Sequence, residues 1–423
     1  MWAEESNFYH IYPLGLCGAE DKNLFNGEVQ HNLCKINEQI EHLKNLGINA
    51  IYFGPIFEST AHGYDTADYY KIDSRLGTNE EFKELCLKLH NNGIKVVVDG
   101  VFNHVGRNFW AFNDVKNNRE NSQFCDWFYI NFSSNNSYND GFSYQDWEGC
   151  SDLVKLNLNN PKVREHLLNA VKYWVETFDI DGLRLDVAYC LDEDFIRELH
   201  NYSKSLKSDF WLLGEAVHGD YNRLVNPEML DSVTNYECYK GMYSSFNDKN
   251  MFEIAHSVKR QESLYKGKRL YSFLDNHDVS RIATNLNNKK WLKLLYSLMF
   301  TLPGVPSIYY QSEFGIEGAK NQGDKALRPN SKFFNYNDLT NHIKNLCELN
   351  NRFKAFIYGQ YEEIKLKNEF FCFARKLNEE NAVCAINISN QPEQISYNGF
   401  EAVIPPNSER IFVNNQCVSA SCT

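Results

Sequence analysis

The chain has 423 residues, 43 Lys plus Arg against 55 Asp plus Glu, and so a net charge of −12, with 43% hydrophobic and 23% charged residues. That is ordinary globular composition and excludes wholesale disorder. The acidic balance excludes nucleic acid as the main partner, because phosphate binding needs clustered Lys and Arg. No apolar run reaches the 18 or so residues that cross a bilayer; the most apolar stretch, residues 292–302, already contains Lys293.

The chain opens Met1-Trp2-Ala3-Glu4-Glu5-Ser6, without the basic and apolar regions of a secretory leader. Its twelve cysteines are scattered with no Cys-x-x-Cys pair, and Cys417 and Cys422 are too loosely spaced for a zinc knuckle. A cytoplasmic protein whose cysteines are mostly free thiols is expected.

Strand-like residues 8–14 come first. The segments Gly47-Ile-Asn-Ala-Ile-Tyr-Phe-Gly-Pro55 and Gly93-Ile-Lys-Val-Val-Val-Asp-Gly-Val101 each follow a helical pattern closed by Gly, the usual left-handed C′ residue. Ile36, Ile40, Leu43 and Leu46 have helical spacing before the first, and the capping box Thr78-x-x-Glu81 opens the helix before the second. Each apolar run suits a strand covered on both faces. Asn160 then caps a helix with Pro161 at its first position and a stripe of Val163, Leu167, Val171, Trp174 and Phe178.

Strands at 181–188, 210–217, 230–236, 270–275 and 307–314 bring the count to eight, each but the last followed by helical sequence before the next. Eight such units predict an α/β fold, a (β/α)8 TIM barrel. Nearly sixty residues rich in Asn, Ser and aromatics separate the third strand from Pro161, too long for a structureless loop, so a functional insertion subdomain is expected there. After residue 355, short alternating runs separated by turn clusters read as a C-terminal antiparallel β domain. The expected division is a barrel of residues 1–104 and 157–354, an insertion of 105–156, and a C-terminal β-sandwich of 355–423.

Barrel enzymes carry their chemistry at the C-terminal ends of the strands. Strand three ends Asp99-Gly-Val-Phe-Asn103-His104, strand four carries Arg184-Leu-Asp186, strand five ends Gly214-Glu215, and strand seven ends Asp275-Asn-His277-Asp278. Charge at all four ends of apolar strands seldom arises from packing, since a buried charge is costly unless paired. Arg184 and Asp186 lie two apart and project to the same side, so the guanidinium should lower the Asp186 pKa. Glu215, among Leu213, Gly214 and Ala216, should have its pKa raised by an apolar pocket and serve as a general acid. Two carboxyls with opposite shifts suit retaining glycoside hydrolysis. Metal-dependent hydrolysis and serine nucleophiles are poorly supported: the chain has no His-x-His, His-Glu-x-x-His or Gly-x-Ser-x-Gly, and no phosphate-binding Gly-rich loop.

These residues resemble the alpha-amylase family of glycoside hydrolases. Asp99–His104, Gly182–Ala188, Gly214-Glu215 and Phe273–Asp278 are similar to its four signature regions, in order, and the resemblance spans nearly the whole chain. It implies Asp186 as nucleophile, Glu215 as general acid/base, and Asp278 as the group that binds and distorts the sugar. Arg184 would orient the nucleophile, His104 and His277 would hydrogen-bond that sugar, and Tyr64 would stack beneath it. Leu153-Val-Lys-Leu-Asn157 resembles the Met-Pro-Lys-Leu-Asn signature of neopullulanases, cyclomaltodextrinases and maltogenic amylases, and Tyr64–Tyr69 and Ser232–Tyr236 point the same way.

Typical calcium-dependent members place an Asp where Lys155 stands here; an ammonium repels a cation, so the calcium site is expected to be lost despite Asn103, leaving no cofactor and no metal. The group's N-terminal β domain, which builds a dimer, is expected to be absent because the first strand begins by residue 8, so a monomer is expected over a dimer. Strand eight ends Tyr309-Tyr-Gln311-Ser312-Glu313 where the family has a Tyr-Tyr-Gly-Asp-Glu-like run. The resemblance implies an oligosaccharide substrate, with hydrolysis of α-1,4-glucosidic bonds by double displacement. Transfer of the glycosyl group to a second sugar is the alternative, and a non-catalytic binding or scaffold protein a more distant one. Of 29 Phe, 25 Tyr and 7 Trp, twelve rings crowd the insertion: Phe109, Trp110, Phe112, Phe124, Trp127, Phe128, Tyr129, Phe132, Tyr138, Phe142, Tyr144 and Trp147. They serve either as sugar-binding rings or as the insertion's own core.

Overall fold

In the computed structural model, residues 1–330 and 335–419 are described. Eight parallel strands form the central sheet: β1 Phe8–Ile11, β2 Ala50–Phe53, β3 Lys95–Gly100, β4 Gly182–Leu185, β5 Trp211–Gly214, β6 Ser232–Val233, β7 Tyr271–Phe273 and β8 Val305–Tyr309. Their order is β6-β5-β4-β3-β2-β1-β8-β7, and a parallel bridge between Thr234 and Tyr271 joins the two ends into a barrel. The expected (β/α)8 architecture is present.

The local reasons are those the sequence offers. Helix α1 (Ile40–Leu46) ends on Gly47 at φ 87°, and α2 (Asn79–Asn91) starts with the reciprocal Thr78–Glu81 capping box. In α3 (Pro161–Phe178), Asn160 accepts from the Lys162 N–H, and Val163, Leu167, Val171, Trp174 and Phe178 are all buried. Helices α4 (Glu193–Leu206), α5 (Tyr236–Asn247), α6 (Phe252–Leu264), α7 (Leu292–Thr301) and α8 (Asp338–Arg352) complete the outer layer. Inside the barrel, Phe8, Ala50, Tyr52, Val97, Trp211, Leu213, Tyr271, Phe273 and Val305 pack into a core of their own. Side chains alternate along each strand, so the next inward positions above Val97 and Leu213 are Asp99 and Glu215.

The helix expected between β5 and β6 is missing: only the single turn Tyr221–Arg223 lies there. Its sequence explains this, since residues 217–228 carry Gly219, Asp220, Asn226 and Pro227 and no helical apolar period. β6 is likewise reduced to two residues where seven were expected.

Within the insertion, His104–Gly106, Cys150–Lys155 and Asp146–Trp147 form a three-stranded sheet, and Ile130–Asn131 pairs with Ser143–Tyr144. Gly106 is needed because a Cβ there would stand 2.3 Å from the Asp65 carbonyl oxygen, one residue after Tyr64. The first strand of the insertion is thereby pressed against the loop that carries Tyr64. At the C-terminal end, β9 (Gln360–Lys367), β10 (Phe370–Leu377), β11 (Glu380–Asn387), β14 (Ser408–Val413) and β15 (Gln416–Cys417) make one antiparallel sheet. β12 (Glu393–Tyr397) and β13 (Phe400–Ile404) make a second, and Phe370, Cys372, Val383, Ile395, Ile404 and Phe412 pack as one cluster drawn from both. The buried Arg375 fastens this unit to the barrel by donating to the Thr301 carbonyl at 2.9 Å. Ten described cysteines are free thiols, and no helix among the described residues is long and apolar enough to cross a membrane.

Candidate active site

The inward positions at the strand ends converge on Arg184. Its Nη1 donates to Asp99 Oδ1 at 2.9 Å and Asp186 Oδ1 at 2.8 Å, and its Nη2 lies 2.9 Å from Glu215 Oε2. Strands β3, β4 and β5 are neighbours in register, so one guanidinium reaches a carboxylate from each. Asp99 is further held by Tyr52 OH at 2.7 Å and Tyr64 OH at 3.1 Å. Arg184 is 3% exposed and fully enclosed by acids, which keeps it charged.

One expectation about charge, at Asp186, and one about surroundings, at Glu215, need correction. Burial raises the Asp186 carboxyl well above the ordinary aspartate value, and repulsion from Glu215, Asp99 and Asp278 adds to it; Arg184 pulls the other way without prevailing. One cation shared among three acids is too little to hold Asp186 low. Glu215, for its part, is not in an apolar pocket: its Oε2 takes both the Arg184 contact and the Val187 N–H, at 2.9 Å. That N–H is aimed by an unusual backbone, because Val187 sits at φ 41°, ψ 48°. A β-branched residue in the left-handed region costs of order 1–3 kcal/mol and persists only where its surroundings enforce it.

Asp278 lies across the cavity with 35% of its side chain exposed. Burial would raise its pKa, but His277 at 3.0 Å, Arg328 at 3.2 Å and the more distant Arg184 outweigh that and hold the carboxyl below the usual range. Its backbone N–H donates to Asn276 Oδ1 at 2.8 Å, and Asn276 in turn donates to Tyr236 OH at 2.9 Å. Tyr64 stacks on His277 with centroids 5.5 Å apart and is hydrogen-bonded to its Nε2. His104 Nε2 stands 3.8 Å from Asp186 Oδ2, and burial, with His62 nearby, brings its pKa down to about 3, so the ring is neutral. His104 Nε2 and His277 Nδ1 are buried without a hydrogen-bond partner. Unsatisfied buried ring nitrogens are costly, and a polyhydroxylated ligand would satisfy them.

Asp186, Glu215, Asp278, Tyr64 and His104 thus line one cavity of about 540 Å³, with Arg184 beneath its carboxylates and His277 between Tyr64 and Asp278. The sequence reading missed Arg328, which lies in a loop after β8 and carries no recognisable motif. It grips Asp278 while resting 4.6 Å over the Tyr12 ring. Of the twelve insertion rings, Trp147 lines the cavity, 5.7 Å from the His104 ring, whereas Phe109, Phe112 and Phe142 are fully buried in the insertion's own core. The structural alternative therefore wins for most of that aromatic cluster.

Gln311 and Ser312, which replace Gly and Asp of the family pattern, lie outside the cavity lining. Gln311 occupies a left-handed position at φ 69° that suits glycine. Ser312 donates to both Asp275 oxygens, at 3.0 and 2.8 Å, and joins them to Arg281. No group of three or more His, Cys, Asp or Glu able to share a metal ion occurs among the described residues. Asn103 Nδ2 lies 3.1 Å from His104 Nδ1, and Lys155 pairs in register with His104.

A closed parallel barrel with an acidic cluster about one arginine at its C-terminal face is the site of a carboxylate-based hydrolase. A model of the alpha-amylase catalytic domain matches residues 25–356. The chain is 30% identical to a cyclomaltodextrinase of Thermoanaerobacter pseudethanolicus, over 95% of this chain and 73% of that one. It is 31% identical to an intracellular maltogenic amylase of Bacillus subtilis, over 93% and 70%. Among solved structures, the ligand-free cyclic alpha-maltosyl-(1→6)-maltose hydrolase of Arthrobacter globiformis superposes with a TM-score of 0.87 at 26% identity, covering 97% of this chain and 99% of that one. A debranching enzyme of Nostoc punctiforme gives 0.85 at 29%, covering 97% and 98%. The chain belongs to the alpha-amylase family.

Proposed function

We propose that this protein is a retaining glycosidase that hydrolyses α-1,4-glucosidic bonds of maltooligosaccharides by double displacement. The observation that carries the reading is the sharing of Arg184 by Asp186 and Glu215, one on each end of the guanidinium. Retaining enzymes hold their two carboxyls about 5–5.5 Å apart, and a single guanidinium is a bridge of that short kind. The family relatives named cyclomaltodextrinase and maltogenic amylase support the substrate class.

Asp186 attacks the anomeric carbon while the proton of the carboxylate cluster passes through Glu215 to the glycosidic oxygen, and the leaving sugar departs as an alcohol. Because the acids interact strongly, that proton belongs to the cluster rather than to one residue, and its departure leaves Asp186 ionised for bond formation. Glu215 then takes a proton from water, which attacks the glycosyl ester and frees Asp186. Asp278, kept ionised by His277 and Arg328, hydrogen-bonds the sugar and favours its distorted, positively charged transition state. His104 and His277 hold the same ring against Tyr64. Incubation with maltotriose tests the reading: glucose and maltose alone mark hydrolysis, longer products mark transfer, and no turnover refutes it.

The reaction needs no metal, and Lys155 beside Asn103 leaves the family's calcium site unfit. Addition of EDTA is expected to leave both the melting temperature and maltotriose turnover unchanged. A fall of several degrees would reveal a bound ion, since a metal that binds only the native state stabilises it by mass action. The substrate is an uncharged polyol, which suits the acidic surface.

A further inference from the structure

Arg328 follows the single helical turn Asp324–Leu327 and has no strand or long helix to fix it. What holds it is a set of contacts to the carbonyls on either side. The Leu327 carbonyl accepts from Arg281 Nη2 at 2.8 Å and from Tyr309 OH at 3.1 Å, and the Pro329 carbonyl accepts from Tyr310 OH at 2.9 Å. Held there, Arg328 places Nη2 3.2 Å from Asp278 Oδ1 and Nε 3.1 Å from the His277 carbonyl.

Arg281 is the centre of this arrangement. It is fully buried and lies outside the residues that line the catalytic cavity. Its guanidinium rests 4.0 Å from the Tyr309 ring centre and 5.0 Å from that of Tyr310, and its Nη1 donates to the Tyr310 carbonyl at 2.6 Å and to Ser312 Oγ at 3.0 Å. One planar fork thus joins the end of β8 to Leu327. The Arg281 N–H donates to the Gly318 carbonyl at 2.8 Å, and a Cβ at Gly318 would stand 2.1 Å from the Ala326 carbonyl oxygen. The residue before Leu327 is therefore pressed against the same turn. A buried cation is costly unless its donors are satisfied, and here two of the three contacts are to main-chain carbonyls, which fix chain position.

We propose that Arg281 is a positioning residue of the catalytic cavity: without lining it, Arg281 fixes the chain at Leu327 so that Arg328 grips Asp278. The inference rests on the hydrolase reading and adds a remote support for the carboxylate that binds the sugar.

Arg281→Lys keeps a buried cation but cannot reach the Nη1 and Nη2 acceptors together. It is expected to lower kcat/KM for maltotriose about tenfold, because small displacements of positioning groups cost on that scale. Tyr309→Phe, which removes the second donor to the Leu327 carbonyl, should lower it about threefold. Arg328→Ala removes the group through which both act, so in that background neither change should lower kcat/KM further. Melting temperatures of the same variants record any loss of packing separately. Losses that keep their full size beside Arg328→Ala, or a parental kcat/KM in folded Arg281→Lys, overturn the positioning role alone. If Arg281→Lys does not fold, the cycle of Tyr309→Phe with Arg328→Ala decides by the same criteria. A parent that does not turn over maltotriose overturns the hydrolase reading and this role with it.

Discussion

Replacing Asp186 by Asn is expected to reduce hydrolysis of maltotriose by at least about a thousandfold, the scale on which a missing nucleophile is felt, while the protein stays folded. The amide is nearly isosteric and leaves Arg184 paired with Asp99 and Glu215. Stability should move the other way from activity. The Asp186 carboxyl is raised in the folded protein above its unfolded value of about 3.9. A carboxyl raised in this way costs stability as pH climbs through that window, and the cost remains in full above the folded value. Asn cannot ionise, so at pH 7 the variant should melt no lower than the parent and in the direction of higher temperature, with the difference vanishing below about pH 4. Thermal melts at pH 7 and pH 3.5 alongside turnover read all three statements. Retained turnover would remove Asp186 from the chemistry; a lower melting temperature at pH 7 would show that the Arg184 contact outweighs burial.

Arg184→Met should give the largest loss of stability of any single change in the site. The guanidinium is the cation that Asp99, Asp186 and Glu215 share, and all three are buried. Removing one partner of a buried ion pair costs about 3–5 kcal/mol because the other charge is left uncompensated, and here three are left. Protonation relieves that repulsion, so the penalty should shrink as pH falls from 7 to 5, opposite to the usual acid destabilisation. Arg184→Lys should fall between, because one ammonium cannot make the forked contact to both Nη1 and Nη2 partners. A melting temperature for Arg184→Met equal to the parent's would mean the acids are compensated elsewhere.

The barrel was legible because its signals are local: Gly47 and Gly93 closing helices, the Thr78–Glu81 box, and the Asn160-Pro161 start all act within a few residues. The acids were legible for a related reason. Asp99, Asp186 and Glu215 stand out as charge at the ends of apolar strands, and the alternation of a strand puts Arg184 and Asp186 on one side. What the sequence did not convey depends on several chain segments at once. The direction of the Asp186 shift follows from how many carboxyls crowd one cation, and that count is fixed only when β3, β4 and β5 come into register. Glu215 meets the Val187 N–H only through a backbone conformation that valine disfavours, which no pattern announces. Arg328 arrives from a loop some fifty residues after Asp278. Trp147 looks in sequence like the eleven rings around it, and the sheet that joins Asp146–Trp147 to Cys150–Lys155 brings it to the cavity.

Double displacement inverts the anomeric carbon twice, so the configuration of the newly formed reducing end, before it mutarotates, is its most direct record. Proton NMR during the first minutes of maltohexaose hydrolysis, before mutarotation equilibrates the products, should show the α-anomer at the newly formed reducing end. A β-anomer appearing first would mean a single displacement by water, and would contradict Asp186 as the nucleophile beside Glu215.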